Sequence, residues 1–348
     1  MAKQESPIIT YLSEHKDLGP IVELNEIDKF VLSILSYTKF EYLDESVKPP
    51  LTIKEYANYY PPNDFTKEGV YLKFLTALSK NDRYADIKIL DFNKKTSVEE
   101  EMQFAFMAFQ LPNKHIFVSF RGTDASIVGW KENLNMAYLS MVPAQDEAHN
   151  TLDYLMSRHP LTKFDIGGHS KGGVLAVYAF SKLSPLRLNR VESVTDLDSP
   201  GLRNDDMTRE MIKKIHAFMP KSAVVGLIYR KRQKVSIIGS INKGVMQHDA
   251  FSWEIEGDKL KRLDEYATGL DLEEGELNKL LNNLSPWESE YFVNMVYELV
   301  DKSSSDSVDN LFRVKVLIEA YKKYKALDPD NSLVLKDILK KLVKSIFK

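Results

Sequence analysis

The chain has 348 residues with nearly balanced charge, 47 Lys and Arg against 50 Asp and Glu, so its net charge of −3 provides no positive field for binding nucleic acid. Cysteine is absent, which excludes disulfides, thiolate metal sites and a cysteine nucleophile. Residues Met1–Pro7 carry no basic region followed by an apolar run, and no stretch approaches membrane-spanning length, so we expect a cytoplasmic protein.

The first third of the chain combines helix patterns with irregular structure. Apolar spacing predicts helices over Asn25–Tyr42 and near Thr66–Leu78, with irregular structure around the prolines at 49–62. Two segments rich in Phe, Val and Met, Met102–Leu111 and His115–Phe120, then flank Pro112-Asn113. This pattern predicts antiparallel strands joined by a tight turn.

From Pro143 onward, helix and strand patterns alternate. The predicted order is helix Pro143–His159, strand Phe164–Gly167, a helix from Lys171, strand Arg190–Asp196, helix Asp205–Lys214 and strand Ile215–Met219, followed by strands Val235–Gly239 and Phe251–Ile255. Such alternation predicts an α/β protein with a mostly parallel central sheet flanked by helices.

Beyond about Leu263 only helix patterns occur, so we divide the chain into a domain of residues 1–265, with a helical N-terminal segment, and a C-terminal all-helical extension of residues 266–348. Ser285-Pro286-Trp287-Glu288 has the form of a capping box. The last helix pattern, Leu335–Ile346, pairs an apolar face with surrounding lysines. It suits packing on protein and also peripheral contact with an anionic membrane.

The segment Gly168-His169-Ser170-Lys171-Gly172 joins an apolar strand to an apolar helix. Glycines on both sides of the serine allow the strand and helix to pack closely around a strained turn, as in a nucleophile elbow. A flexible turn with a surface serine is the alternative. The strand and helix context favours Ser170 as a nucleophile.

A serine nucleophile needs a base, and a histidine downstream of it is expected. His216 lies inside an apolar strand pattern, where a structural role is favoured. His248 lies in a loop between two strand patterns, where its side chain can reach the carboxyl ends of the strands. His169, inside the elbow, is expected to point away from where a base must approach and to pack locally. We therefore assign the base to His248.

Two carboxylates, Asp196 and Asp198, follow the next strand after the elbow. Alternation sends both to the same side, so periodicity does not choose between them as the acid that orients the base. Asp205, Asp206 and Asp249 are weaker candidates because capping or solvation accounts for them.

An oxyanion needs donors, and the backbone N–H of Lys171 is the expected first one. Thr123, after the strand that ends at Phe120, is the expected second. Arg121 and Asp124 beside it are expected to serve a structural ion pair. The Lys171 side chain itself suits either an anionic substrate or a solvated surface position.

The Phe-Arg-Gly-Thr-Asp and Gly-His-Ser-x-Gly-Gly motifs resemble those of class 3 lipases in the α/β-hydrolase superfamily. The chain is more similar to the bacterial Mbeg-like family, poorly characterised proteins related to those lipases. The matching segments, within Tyr11–Glu256, are Phe120–Trp130, Gly168–Ala176, Asp198–Gly201, Ser222–Gly226 and Gln247–Trp253.

This resemblance implies an α/β-hydrolase fold with Ser170 as nucleophile and His248 as base. Two departures from the lipase pattern stand out. Lys171 replaces the usual apolar residue, and Ser222–Gly226 lies where those lipases carry the catalytic aspartate. The closer family instead matches Asp198, which we take as the acid, with Asp196 as its substitute.

The sequence thus predicts a serine hydrolase that cleaves carboxylic esters of a small molecule or lipid through Ser170, His248 and Asp198. Neither a Walker loop nor a dinucleotide fingerprint is present, and we expect no cofactor and no metal. Two other classes stay open: a noncatalytic hydrolase-like binding protein, in which Ser170 and His248 lie out of hydrogen-bond reach, and a membrane-associated interaction protein that depends on the C-terminal extension.

Overall fold

The computed structural model describes residues 5–60, 69–124, 126–136, 139–202, 207–221, 225–227 and 235–264. These residues fall into two compact units. The described part of the first unit lies within residues 5–95, 104–122 and 144–264, and that of the second within 96–103 and 123–143.

Helices dominate the first part of the chain: α1 (Pro7–Glu14), α2 (Glu26–Leu35), α3 (Ile53–Tyr59) and α4 (Val70–Ser79). Asn25 begins α2 with a capping box, since its side chain accepts from the Asp28 N–H while the Asp28 carboxylate accepts from the Asn25 N–H. The predicted helix Asn25–Tyr42 ends earlier, at Leu35, because the N–H and hydroxyl of Thr38 both bond to the Leu35 carbonyl.

An eight-stranded sheet runs through the described residues, with its strands neighbouring one another in chain order. The strands are β1 (Leu51–Thr52), β2 (Lys88–Ser97), β3 (Met102–Gln110), β4 (Ile116–Phe120), β5 (Phe164–His169), β6 (Val191–Leu197), β7 (Ile215–Pro220) and β8 (Val235–Ile238). β3 and β4 pair antiparallel with Phe106 opposite Phe120, and β4 to β8 are parallel. The predicted mostly parallel sheet is confirmed. β2 was not predicted, because its polar residues give no apolar strand pattern.

Helices cover both faces of the parallel strands. α6 (Pro143–Arg158), α7 (Lys171–Ser181), α8 (Pro185–Leu188) and α9 (Arg209–Lys213) lie in the connections between β4 and β7. Right-handed crossovers between strands that follow one another in order place these helices on one face, and Arg187 of α8 pairs there with Asp153 of α6. On the other face α2 packs against β4, β5 and β6, and the Ser119 hydroxyl bonds to the Ser33 carbonyl at 2.9 Å.

A short hairpin, β9 (Ile255–Glu256) and β10 (Lys259–Leu260), follows the large sheet. The predicted turn at Gly257-Asp258 is confirmed, and Gly257 has the positive φ of 64° that such a turn uses. The predicted strand Phe251–Ile255 is wrong over most of its length, since Ala250–Ser252 form a 3₁₀ turn. The Asp249 carboxylate accepts from the Phe251 N–H at 3.0 Å and begins this turn.

The described part of the second unit centres on α5 (Ile127–Asn135). Its buried Glu132 carboxylate accepts from the Gln103 N–H at 3.0 Å, and Lys131 pairs with Glu101 at 2.5 Å. Asn133 donates to the Thr123 hydroxyl oxygen. Polar contacts therefore join α5 to both chain segments of this unit.

The predicted C-terminal helical extension, residues 266–348, lies outside the described residues, as do the capping box at Ser285 and the basic pattern Leu335–Ile346. The division of the chain into these two domains therefore stays a prediction. Within the part that is described, every helix is too short or too polar to cross a bilayer.

Candidate active site

Ser170 lies at the sharp turn between β5 and α7, with φ 56° and ψ −129°. A non-glycine residue in this region is strained, and such strain is a feature of nucleophile elbows. The helix begins so close to the sheet that a Cβ on Gly172 would lie 2.1 Å from the Phe120 carbonyl oxygen. Glycine at 172 therefore permits the close packing that holds the serine at the carboxyl end of the strand.

His248 reaches this serine from the end of the 3₁₀ turn Gly244–His248. Its Nε2 lies 3.0 Å from the Ser170 Oγ. The side chain is 31% exposed, so one edge of the pair faces solvent. The other downstream histidine in the described residues, His216, is exposed near the start of β7, at the end of that strand remote from the elbow.

Asp198 completes a hydrogen-bonded chain with these two residues. Its Oδ2 lies 2.6 Å from His248 Nδ1, and its Oδ1 accepts from the Gly226 N–H at 3.0 Å. The side chain is fully buried. A carboxylate can only accept, so His248 Nδ1 carries the proton and Nε2 presents a lone pair to Ser170.

Asp196 takes a different position from Asp198. Its Oδ1 accepts from the Ser199 hydroxyl at 2.5 Å and from the Ser199 N–H at 3.3 Å. The expected alternation fails here because β6 ends at Leu197 and Asp198 adopts a positive φ of 47°. That turn aims the two carboxylates at different partners, which strand periodicity could not anticipate.

A second histidine contacts the main chain of the base. The buried His169 places its Nε2 2.8 Å from the His248 carbonyl oxygen, and its Nδ1 3.0 Å from the Tyr37 hydroxyl. The expectation that His169 only packs locally is therefore wrong, because its ring contacts Tyr37 and the main chain of His248. Burial, together with the nearby His248, lowers the pKa of His169 well below its usual range, so the ring is neutral.

Tyr37 was missed in the sequence because it follows α2 in no recognisable motif, some 130 positions from its partner. Its hydroxyl also donates to the His169 carbonyl oxygen at 3.1 Å. Burial raises the pKa of Tyr37, which keeps the hydroxyl protonated. Of Tyr37 and His169, only His169 belongs to a sequence motif, so only His169 could have been identified from the sequence.

Lys171 is the first residue of α7, so its backbone N–H lies where helix N–H groups point toward an anion. The Lys171 side chain is 1% exposed, so the solvated surface position is wrong. Thr123 belongs to the second unit. The oxyanion roles of Lys171 and Thr123 stay predictions.

Arg121, fully buried, stabilises the chain next to this region. Its guanidinium forms an ion pair with Glu41 at 3.1 Å and donates to the Thr38 carbonyl at 2.8 Å. Burial raises the pKa of Glu41, but Arg121 and two nearby lysines outweigh it and hold that pKa below its ordinary value. The structural ion pair expected for Arg121 is thus made with Glu41 of the N-terminal segment. The Asp124 carboxylate accepts from the Ser126 N–H at 3.0 Å.

In the portion of the chain that is described, no three His, Asp or Glu side chains come together in a way that would hold a metal ion.

Comparisons with known proteins add a family and a set of solved structures. The sequence profile of the Mbeg1-like family matches residues 78–298, more than half of the chain. Lipase II from Rhizopus niveus is 15% identical, with a TM-score of 0.33, and the match covers 48% of this chain and 70% of the lipase. Lip2 lipase from Yarrowia lipolytica is 10% identical, with a TM-score of 0.33, and the match covers 60% of this chain and 76% of the lipase. A mutant form of MDLA from Penicillium cyclopium is 12% identical, with a TM-score of 0.36, and the match covers 69% of this chain and 87% of that protein. Comparison with curated proteins finds no match.

Proposed function

Because the chain belongs to the Mbeg1-like family and has the α/β-hydrolase fold, we propose that it is a serine hydrolase that cleaves carboxylic esters. One observation carries the proposal: Ser170 Oγ, the His248 ring and the Asp198 carboxylate form an unbroken hydrogen-bonded chain, with distances of 3.0 and 2.6 Å. A serine hydroxyl is barely ionised at neutral pH, and this arrangement supplies the base it needs.

In the first half of the reaction the Ser170 oxygen attacks the ester carbonyl carbon while His248 Nε2 takes the hydroxyl proton. The tetrahedral intermediate then collapses. Its carbon–oxygen bond to the alcohol breaks, and His248 returns the proton to the departing oxygen. The product is an acyl-enzyme on Ser170 and a free alcohol.

In the second half a water molecule replaces the alcohol. His248 takes one proton from the water as its oxygen attacks the acyl carbon, and returns it to Ser170 Oγ when that bond breaks. A carboxylic acid leaves and the enzyme is regenerated. Asp198 holds the His248 tautomer throughout and stabilises the imidazolium that forms twice per turnover.

The developing oxyanion needs donors, and we assign the first to the backbone N–H of Lys171, while the role of Thr123 stays a prediction. The position of Lys171 at the start of α7 supports the first assignment, because the helix dipole also favours negative charge there. A single such donor is worth about 10²- to 10³-fold in kcat.

Two alternative functions predict different properties. A noncatalytic hydrolase-like protein would hold Ser170 and His248 apart, and the 3.0 Å distance between them supports catalysis instead. A membrane-associated interaction protein would depend on residues 266–348, so its liposome binding would be lost with that segment and would survive Ser170→Ala.

The test is covalent labelling of the purified full-length protein with a fluorophosphonate probe. Wild type should label at one serine, and Ser170→Ala and His248→Ala should not label. Ser181→Ala, on the same helix with its hydroxyl bonded to the Tyr178 carbonyl, and His216→Ala serve as matched controls and should label like wild type.

Esters of increasing acyl length, tested next, separate a short-chain esterase from a lipase acting on long chains. Folded wild-type protein that neither labels nor hydrolyses a short soluble ester would contradict the proposal.

A further inference from the structure

The loop that carries His248 is held by its main chain as well as by its side chain. The His248 carbonyl oxygen accepts from His169 Nε2 at 2.8 Å, and the preceding carbonyl, of Gln247, accepts from the Trp253 indole at 2.8 Å. Trp253 is fully buried and His169 nearly so. These two ring N–H groups therefore hold the main chain of this loop in place relative to the elbow.

The contact to the His248 carbonyl also determines where the proton lies on His169. A carbonyl oxygen can only accept, so Nε2 of His169 must carry the proton and Nδ1 must present a lone pair. The Tyr37 hydroxyl donates to the His169 carbonyl oxygen at 3.1 Å and also lies 3.0 Å from that lone pair, so its single proton is shared between two acceptors. The share donated to Nδ1 satisfies the ring and stabilises the tautomer that serves His248.

The two imidazole rings also face each other, with centroids 4.7 Å apart and planes inclined by 34°. In the proposed reaction His248 becomes positively charged. A second positive charge on His169 would oppose that step, whereas a neutral ring of fixed tautomer does not. The low pKa of His169 agrees with this requirement.

We propose that Tyr37 and His169 form a positioning pair for the base: Tyr37 sets the tautomer of His169, and His169 holds the main chain of His248 so that its ring meets Ser170. This inference rests on the proposed function, because the pair acts only through His248. Tyr37 lies two residues after the end of α2 at Leu35, so the N-terminal helical segment helps to position the base.

Three variants separate positioning from filling space. His169→Gln keeps a donor at the level of Nε2, whereas His169→Phe fills the volume without a donor. Tyr37→Phe removes only the hydroxyl. Displacing a catalytic group by about 1 Å costs up to about 10²-fold in rate, so we expect His169→Phe to lower kcat roughly 10- to 100-fold, with KM nearly unchanged. His169→Gln should recover most of the rate.

A double-mutant cycle tests whether Tyr37 acts through His169. The cycle is needed because the Tyr37 hydroxyl also packs closely against Gly122, where an added Cβ would meet it. A loss of activity in Tyr37→Phe therefore has two possible sources, this packing and the contact with His169. If Tyr37 acts on the tautomer, Tyr37→Phe lowers kcat severalfold in wild type and has no effect in the His169→Phe background. Equal losses in both backgrounds, or equal activity of His169→Gln and His169→Phe, would overturn the inference.

A readout independent of activity keeps this inference separate from the proposed function. ¹⁵N NMR of the histidine side chains should give His169 as the Nε2–H tautomer, with its signals identified by their loss in His169→Gln. In Tyr37→Phe the Nδ1–H tautomer should gain population. A folded wild-type protein with the Nε2–H tautomer that neither labels nor hydrolyses a short soluble ester would contradict esterase function and leave the contact intact, whereas a labelling protein with the Nδ1–H tautomer would refute the positioning pair.

Discussion

Asp198→Asn is the most informative single change in the proposed triad, because asparagine cannot satisfy both of the contacts that Asp198 makes. If the amide oxygen stays with the Gly226 N–H, the amide NH₂ faces His248 Nδ1. The His248 proton then moves to Nε2, where it blocks proton transfer from Ser170. If the amide flips, its NH₂ opposes the Gly226 N–H, and a buried donor is left without an acceptor at a cost of about 1–3 kcal/mol.

The size of the loss follows from the charge that forms on His248. An imidazolium and a carboxylate with charge centres about 4 Å apart interact by about 4 kcal/mol at an effective dielectric constant of about 20, which corresponds to about 10³-fold in rate. The wrong tautomer adds to this, and the equivalent change in a serine protease costs about 10⁴-fold in kcat. We therefore expect Asp198→Asn to lower kcat by about 10³- to 10⁴-fold.

The assay is hydrolysis of a short chromogenic ester, with the rate of fluorophosphonate labelling as a second measure. Asparagine tolerates the positive φ of 47° at this position, so the variant should fold, and circular dichroism checks this. Asp196→Asn is the matched control. Its side-chain oxygen can still accept from Ser199, and we expect a loss below about 10-fold. A small effect of Asp198→Asn with a large effect of Asp196→Asn would refute the assignment of the acid.

Three further predictions concern stability. Gly172→Ala places a Cβ 2.1 Å from a main-chain carbonyl of β4, so thermal unfolding should show a loss of about 3 kcal/mol or more; a loss below about 1 kcal/mol would contradict the packing argument. Because burial lowers the pKa of His169, this side chain binds a proton near pH 6.5 in the unfolded state but not in the folded state. The free energy of unfolding therefore falls as the pH drops. Between about pH 7.5 and 5, the unfolding free energy of wild type should fall by up to about 2 kcal/mol more than that of His169→Phe, and equal falls in urea unfolding would contradict this. Glu41→Gln removes the carboxylate that pairs with the buried Arg121 guanidinium, which should cost about 2–3 kcal/mol in the same measurement. Glu192→Gln, which breaks an exposed pair, should cost less than about 1 kcal/mol, and similar costs for the two variants would refute the role of Glu41.

The strands and helices with strong apolar patterns were predictable. The antiparallel pair β3 and β4, the helix from Pro143 and the parallel strands from β5 to β8 lie within a few residues of their predicted positions. β2 was missed because a half-exposed strand held by its neighbours needs no continuous apolar pattern. The end of α2 was missed because side-chain and three-residue hydrogen bonds at Thr38 override helix propensity.

In the candidate site, too, the features that depend on residues adjacent in the chain were predictable, and the contacts between distant residues were not. The elbow around Ser170 depends on residues adjacent in the chain, so its glycines and apolar flanks reveal it. The order of residues along the chain then restricted the base to His248 or His216. Both inferences use information that lies within one element or one loop.

Only the tertiary structure distinguished Asp198 from Asp196 and brought Tyr37 to His169. The first distinction depends on one backbone dihedral at the end of β6, and the second joins residues 132 positions apart in the chain. The sequence by itself determined the strand, turn and helix of the elbow and the apolar pattern of the parallel sheet, because these follow from neighbouring residues. Which side chains meet around the serine was decided by packing of the sheet, α2 and the loop of His248, because hydrogen bonds between distant segments depend on where folding places them.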